Sequence, residues 1–169
     1  MHSDPHHPDT QLPDAAALLE HYSAAWNALK TEGIARCWNP NRFIFYKAEE
    51  IGHFFRGWQQ VKEYWRNNEA IHQAVSLQFD EIETVSLGSE LAVATTRMRW
   101  DIRFADDAKL PDGSAFPHRG QAMGGDNHVV VFFCPDEPGW KICGWSETPD
   151  APITYMRSLY LRMADTNRV

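Results

Sequence analysis

The chain has 169 residues, of which 43 % are hydrophobic, 12 % aromatic and 23 % charged, a balance that excludes a disordered chain and fits one globular domain. Its formal charge of −7, from 16 basic and 23 acidic side chains, repels phosphate backbones and argues against nucleic acid as a partner. No window reaches the ~20 apolar residues of a membrane span, and the polar opening MHSDPHHPDTQLPD lacks a secretory apolar segment, so neither a membrane nor export is expected.

Residues 1–12 carry His2, His6 and His7 with two prolines and are expected to be a flexible tail whose histidine spacing fits no standard metal site. Asp14 is a helix cap, after which Leu18, Leu19, Tyr22, Trp26 and Leu29 fall on one helical stripe. Gly33 is the expected stop, with a short second helix at 34–38 ended by Pro40. RFIFYK (42–47) reads as a strand, and a short strand at 51–56 follows. Gly57 opens a helix to Ile71 with Trp58, Val61, Tyr64 and Trp65 on its apolar side.

The period then changes to two. Val75, Leu77 and Phe79 alternate, and Ile82 breaks phase, which predicts a bulge near Asp80 or Glu81. Residues 91–105 form a long strand with Ala92, Ala94, Thr96, Met98, Trp100, Ile102 and Phe104 on one face and Thr95, Arg97, Arg99, Asp101 and Arg103 on the other. A hairpin loop spans 106–120. Strands at 121–134 and 140–147 are joined by PDEPG, and a final helix carries Ile153, Met156, Tyr160 and Met163. Helices come early and turn-joined strands late, which defines an α+β domain with a mostly antiparallel sheet. Its expected extent is 13–150, with 151–169 a C-terminal helix and tail. Cys37, Cys134 and Cys143 form an odd set without a CxxC, as expected of reduced, packed thiols in a cytoplasmic protein.

Three segments, LLEHYSAAWNALKTEGIARCWNP, FRGWQQVKEYW and GWKICGWSETP, occur in an order and spacing that resembles the nuclear transport factor 2-like superfamily, with its ketosteroid-isomerase-like and SnoaL-like (polyketide-cyclase-like) members. The resemblance covers about residues 12–150. It implies a cone: a strongly curved, mixed, mostly antiparallel sheet wrapped around N-terminal helices, with an internal pocket. The superfamily hosts isomerases, cyclases, dehydratases, dioxygenase small subunits and noncatalytic binders, so the fold leaves the function open.

In the ketosteroid-isomerase pattern, a tyrosine on the first helix and a protonated aspartic acid donate to an oxyanion while a second aspartate carries the proton. The resemblance puts Tyr22 at the tyrosine and Asp126 or Asn127 near the oxyanion acid. The base falls near Tyr46, where there is no carboxylate; Glu49 and Glu50 lie three and four residues on, in an expected turn. Steroid-isomerase chemistry itself is therefore disfavoured. Tyr22 and Trp26 also read as core, since they share the apolar stripe.

In GGDNHVVVFF, Gly124 and Gly125 precede three polar residues within a strand. Asp126 and His128 share one face and Asn127 takes the other. Asp126 and His128 are either an acid–base pair in the pocket or partners of Arg97 and Arg99 on the neighbouring strand; the hairpin register decides. Val129–Phe133 is apolar on both faces, which predicts a homodimer covering the outer face. No GxGxxG, GxxxxGK[ST] or GxSxG occurs, and no histidine spacing suits a metal, so neither cofactor nor metal is expected.

Two functions follow. One is a cofactor-independent isomerase, lyase or cyclase that binds an apolar or aromatic small molecule among Trp26, Tyr46, His53, Trp65, Trp100 and Asn127, with Asp126, His128 and Tyr22 in catalysis. The other is a noncatalytic ligand-binding or assembly domain, such as a partner resembling a dioxygenase small subunit.

Overall fold

The computed structural model describes residues 12–151. The expected N-terminal tail and the C-terminal helix through Ile153, Met156, Tyr160 and Met163 lie outside the described residues. Asp14 caps the first helix, its Oδ1 accepting from Ala17 N at 3.0 Å. Helix α1 (Ala15–Asn27) buries Ala15, Leu19, Tyr22 and Trp26 along one stripe. Gly33 does not end it. The turn is made by Leu29 with φ 51°, and Gly33 lies inside α2 (Thr31–Arg36). There it permits close packing, since a Cβ at Gly33 would stand 3.2 Å from Ala25 Cβ.

Strands β1 (Phe45–Lys47) and β2 (Phe55–Arg56) precede α3 (Trp58–Ile71), which Gly57 opens with φ 82°. Four long strands follow: β3 (His72–Ser86), β4 (Ala92–Phe104), β5 (Ala122–Asp136) and β6 (Gly139–Pro149). They form one sheet in the order β2-β1-β6-β5-β4-β3. Every neighbouring pair is antiparallel except β1 with β6, where the last strand returns parallel to the first. The sheet curves around the helices without closing, the expected α+β cone.

Three register shifts interrupt the sheet, one at the start of β3 between His72 and Ala74, and the other two set the facing of side chains toward the interior. In β3 the register shifts between Asp80 and Glu83, with Glu81 at φ 52°, where the break in alternation predicts it. Thr96 on β4 holds this bulge, its hydroxyl donating to Asp80 O at 2.7 Å. In β6, Gly144 faces Phe132 and Ile142 faces Phe133, so Cys143 is the extra residue. That insertion turns Ile142 and Trp145, three apart, both into the interior.

Helix α1 packs across β3, an edge strand. Ser23 Oγ donates to Leu77 O at 2.6 Å, and Leu77 N donates to Asn27 Oδ1 at 2.9 Å. The inner face of β4 carries the alternating set read from the sequence, with Ala92, Ala94, Thr96 and Met98 buried. Trp38, Trp65 and Trp145 are fully buried between sheet and helices. The three cysteines are free thiols.

Candidate functional site

The cone holds a partly open cavity of about 240 Å³. Helices α1 and α3 and the inner faces of β3, β4 and β6 supply its walls. The loop between β4 and β5 supplies Phe116, which packs on Phe104 with ring centroids 4.7 Å apart. Tyr22, Trp26, Tyr46, Tyr64, Trp100 and Trp145 make the lining strongly aromatic.

Glu147 is the polar centre of this cavity. The bulge at Cys143 puts it in phase with Trp145, so a carboxyl faces inward at the end of β6 with only 9 % of its surface exposed. Three donors converge on it. Trp145 Nε1 reaches Oε1 at 2.5 Å, Tyr46 Oη reaches Oε1 at 3.2 Å, and Asn127 Nδ2 reaches Oε2 at 3.1 Å. Trp100 Nε1 donates to Asn127 Oδ1 at 3.3 Å, which fixes the amide with its NH₂ toward Glu147. Burial pushes the Glu147 carboxyl up to about 7, helped by the charges of Glu50 and Glu49 and opposed by the Trp145 and Tyr46 donors.

Glu49 and Glu50 lie in the turn after β1, as expected, and both line the cavity. Burial and the neighbouring Glu50 raise the Glu49 carboxyl, while Asn127 and Lys47 favour its charged form. Tyr64 Oη donates to Glu50 Oε1 at 2.6 Å.

Three further polar atoms of the lining have no hydrogen-bond partner among the described residues: Tyr22 Oη, Trp26 Nε1 and His72 Nδ1. Burial holds the Tyr22 phenol above its ordinary range, so it stays a neutral hydroxyl able to donate. His72 begins β3 and packs its ring on Phe104 at 5.1 Å. Burial lowers its pKa to about 4, so at pH 7 it is neutral with a lone pair to offer.

Tyr22, Trp26, Tyr46 and Trp100 therefore line the cavity, and Asn127 braces its carboxyl. Asp126 and His128 do not face it. The β5 register pairs Arg99 with Asp126 and Arg97 with His128, and Asn127 turns inward. Asp126 meets Arg99 at 3.5 Å and Arg97 at 3.7 Å on the outer face, the cross-strand ion pairing that the sequence left as the alternative. Acid–base work by Asp126 and His128 inside the pocket is corrected accordingly. His53 also stands outside, exposed beside Phe55 at 5.0 Å in a separate shallow groove. Trp65 is fully buried against Trp38, Tyr46 and Trp58 behind the lining. Glu147 and His72 escape the sequence reading. The available signal for Glu147 was its position two residues after a tryptophan within GWKICGWSETP. No group of three or more His, Cys, Asp or Glu side chains that could hold a metal ion occurs among the described residues, and none of their helices is long and apolar enough to cross a membrane.

No protein-family model matches the sequence, and no curated protein matches it significantly. Solved structures do. A nuclear transport factor 2-like superfamily protein from Salmonella enterica superposes with a TM-score of 0.66 at 14 % identity, over 82 % of this chain and 90 % of that one. A candidate dehydratase of the NTF2-like family from Streptomyces avermitilis gives 0.67 at 14 % identity, over 86 % of this chain and 100 % of that one. A type 2 hexachlorocyclohexane dehydrochlorinase gives 0.62 at 9 % identity, over 81 % of this chain and 83 % of that one. At such identities the likeness is one of architecture: the chain has the nuclear transport factor 2-like fold.

Proposed function

We propose that this protein is a cofactor-independent lyase or isomerase that moves a proton on a small molecule with an apolar or aromatic body, with Glu147 as its acid–base group. The observation that carries the reading is a buried carboxyl, braced by three donors, with a pKa of about 7 inside an aromatic cavity. A carboxyl near the working pH is well matched to take and return a proton. Tyr22 and Trp26 supply unmatched donors for charge developing on the substrate, and neutral His72 supplies a second proton acceptor. The names of two structural neighbours, a dehydratase and a dehydrochlorinase, describe eliminations, which begin with loss of a proton.

The test uses 5-nitrobenzisoxazole, an aromatic probe for buried bases. Glu147 would remove its C–H proton as the ring N–O bond breaks, giving a coloured nitrophenolate. The expected rate exceeds that of equimolar acetate by about a hundredfold or more and rises with pH through a single ionisation near 7. A rate no better than acetate, or one independent of pH between 5 and 9, leaves a noncatalytic binder instead.

A second copy of the chain on the outer sheet face belongs to the same proposal. Val130 and Phe132 are only half-buried there, Phe132 sharing a ring contact with Phe45 at 5.3 Å, and Phe43 is 74 % exposed beside it. Sedimentation at micromolar concentration is expected to give twice the mass of one chain, and a stable monomer overturns the dimer. A cytoplasmic location is proposed on the three free thiols.

A further inference from the structure

Three carboxyls converge on the cavity from two elements. Glu147 comes from β6, and Glu49 and Glu50 come from the turn after β1. They form a graded path: Glu50 is exposed, Glu49 half-buried and Glu147 buried. They are close enough to feel one another, since the charges of Glu49 and Glu50 both disfavour ionisation of Glu147, and Glu50 does the same to Glu49. No lysine or arginine lines the cavity among the described residues. The neighbouring cation, Lys47, has its ammonium on the Ala48 carbonyl at 2.5 Å.

The rest of the lining suits the same charge. Tyr46, Tyr64, Trp26 and Trp100 present aromatic rings, whose faces attract cations. Tyr22 Oη, on a side chain 1 % exposed, is unpartnered in the same cavity and leaves a hydrogen bond for a bound molecule to complete. An anion would meet three carboxyls and no cationic side chain in the lining. A neutral molecule would leave their mutual repulsion in place.

We infer that the cavity takes an organic cation, an amine whose protonated nitrogen lies toward the side of the cavity lined by Glu49, Glu50 and Glu147 while its apolar or aromatic body lies against the rings. The inference deepens the proposed function and rests on its reading of the cavity as the ligand site, but not on proton transfer. Charge-assisted hydrogen bonds to carboxylates give the ammonium its advantage, more so toward the buried Glu147 end than at the exposed Glu50.

The experiment is calorimetric titration at pH 8 with 2-phenylethylamine, 2-phenylethanol and phenylacetate, which share a ring and differ in charge. The amine is expected to bind about tenfold or more tightly than the alcohol, and the acid not to bind detectably. In the Glu49→Gln/Glu50→Gln/Glu147→Gln triple variant, which removes all three carboxyls, the amine should come within about threefold of the alcohol. If the alcohol matches the amine in the unmodified protein, the cation inference is overturned and the ligand site stands. An amine preference that survives the triple variant also overturns it, because other groups then read the charge. If none of the three binds while 5-nitrobenzisoxazole is still turned over, the inference falls and the proton-transfer reading remains.

Discussion

Glu147→Gln should lower the rate of 5-nitrobenzisoxazole opening by about a hundredfold or more while making the fold relatively more stable at high pH. Both effects have one origin. The buried carboxyl is moved from 4.5 to about 7, chiefly by loss of hydration. In the folded state it therefore holds its proton more tightly than in the unfolded chain, where its pKa is near 4.5. Below pH 4.5 both states are protonated and there is no penalty. As the pH rises to 7 the unfolded chain ionises more readily, and the folded state loses about 3 kcal/mol relative to its low-pH value. Glutamine does not titrate. Its amide faces three donors with only one carbonyl, a mismatch that costs about 1–3 kcal/mol at every pH. The quantity to read is thus the difference between variant and wild type by urea unfolding. Between pH 4.5 and 8 that difference should move by about 3 kcal/mol in favour of the variant. Taking the difference also removes His72, which acts oppositely in wild type: its folded pKa is depressed, so it withdraws stability as the pH falls from 6.5 toward 4. A pH-independent difference would place Glu147 in an ordinary solvated environment and remove the basis for its proposed role.

Gly144→Val should cost about 3 kcal/mol and lower the melting temperature by about 6–12 °C. Gly144 sits in β6 between Phe45 on β1 and Phe132 on β5. The two rings meet edge-on over it with centroids 5.3 Å apart. A Cβ at this position would run into the Phe45 ring and stand 3.1 Å from Phe132 Cδ2. Both rings are half-buried on the outer face, so a valine is accommodated only if they swing apart and give up their edge-on contact over β6. Gly139→Ala is the matched control, since a Cβ there meets nothing within 4 Å. Equal melting temperatures for the two variants would show that the β1–β6 junction is looser than its packing implies.

The fold was legible wherever hydrophobic periodicity was uninterrupted. The stripe through Leu19, Tyr22 and Trp26 placed α1, strict alternation from Ala92 to Phe104 gave both faces of β4, and the break after Phe79 located the bulge that bends β3. The site was less legible because it depends on phase and register, which single strands do not carry. In β5, alternation separates Asn127 from Asp126 and His128 but does not say which set faces inward; pairing of Asp126 with Arg99 decides that. In β6, counting by twos from Ile142 points Glu147 at solvent, and the extra residue at Cys143 reverses the count. Gly33 misled for another reason: the tight approach of α2 to Ala25 favours a glycine there, and Leu29 makes the turn instead.

The hold of Ser23 and Asn27 on Leu77 bears on how copies of this chain can meet. A sheet with open margins invites another strand to extend it, and runaway extension is the route to fibrils. Here one margin is occupied midway along β3 by a hydroxyl and an amide that already take the Leu77 carbonyl and N–H. The opposite margin is β2, whose two residues give a newcomer almost nothing to grip. A recruit at the first margin would have to evict α1 side chains, and at the second it would have too short a template. Among the described residues, both margins of the sheet thus resist extension by a further strand.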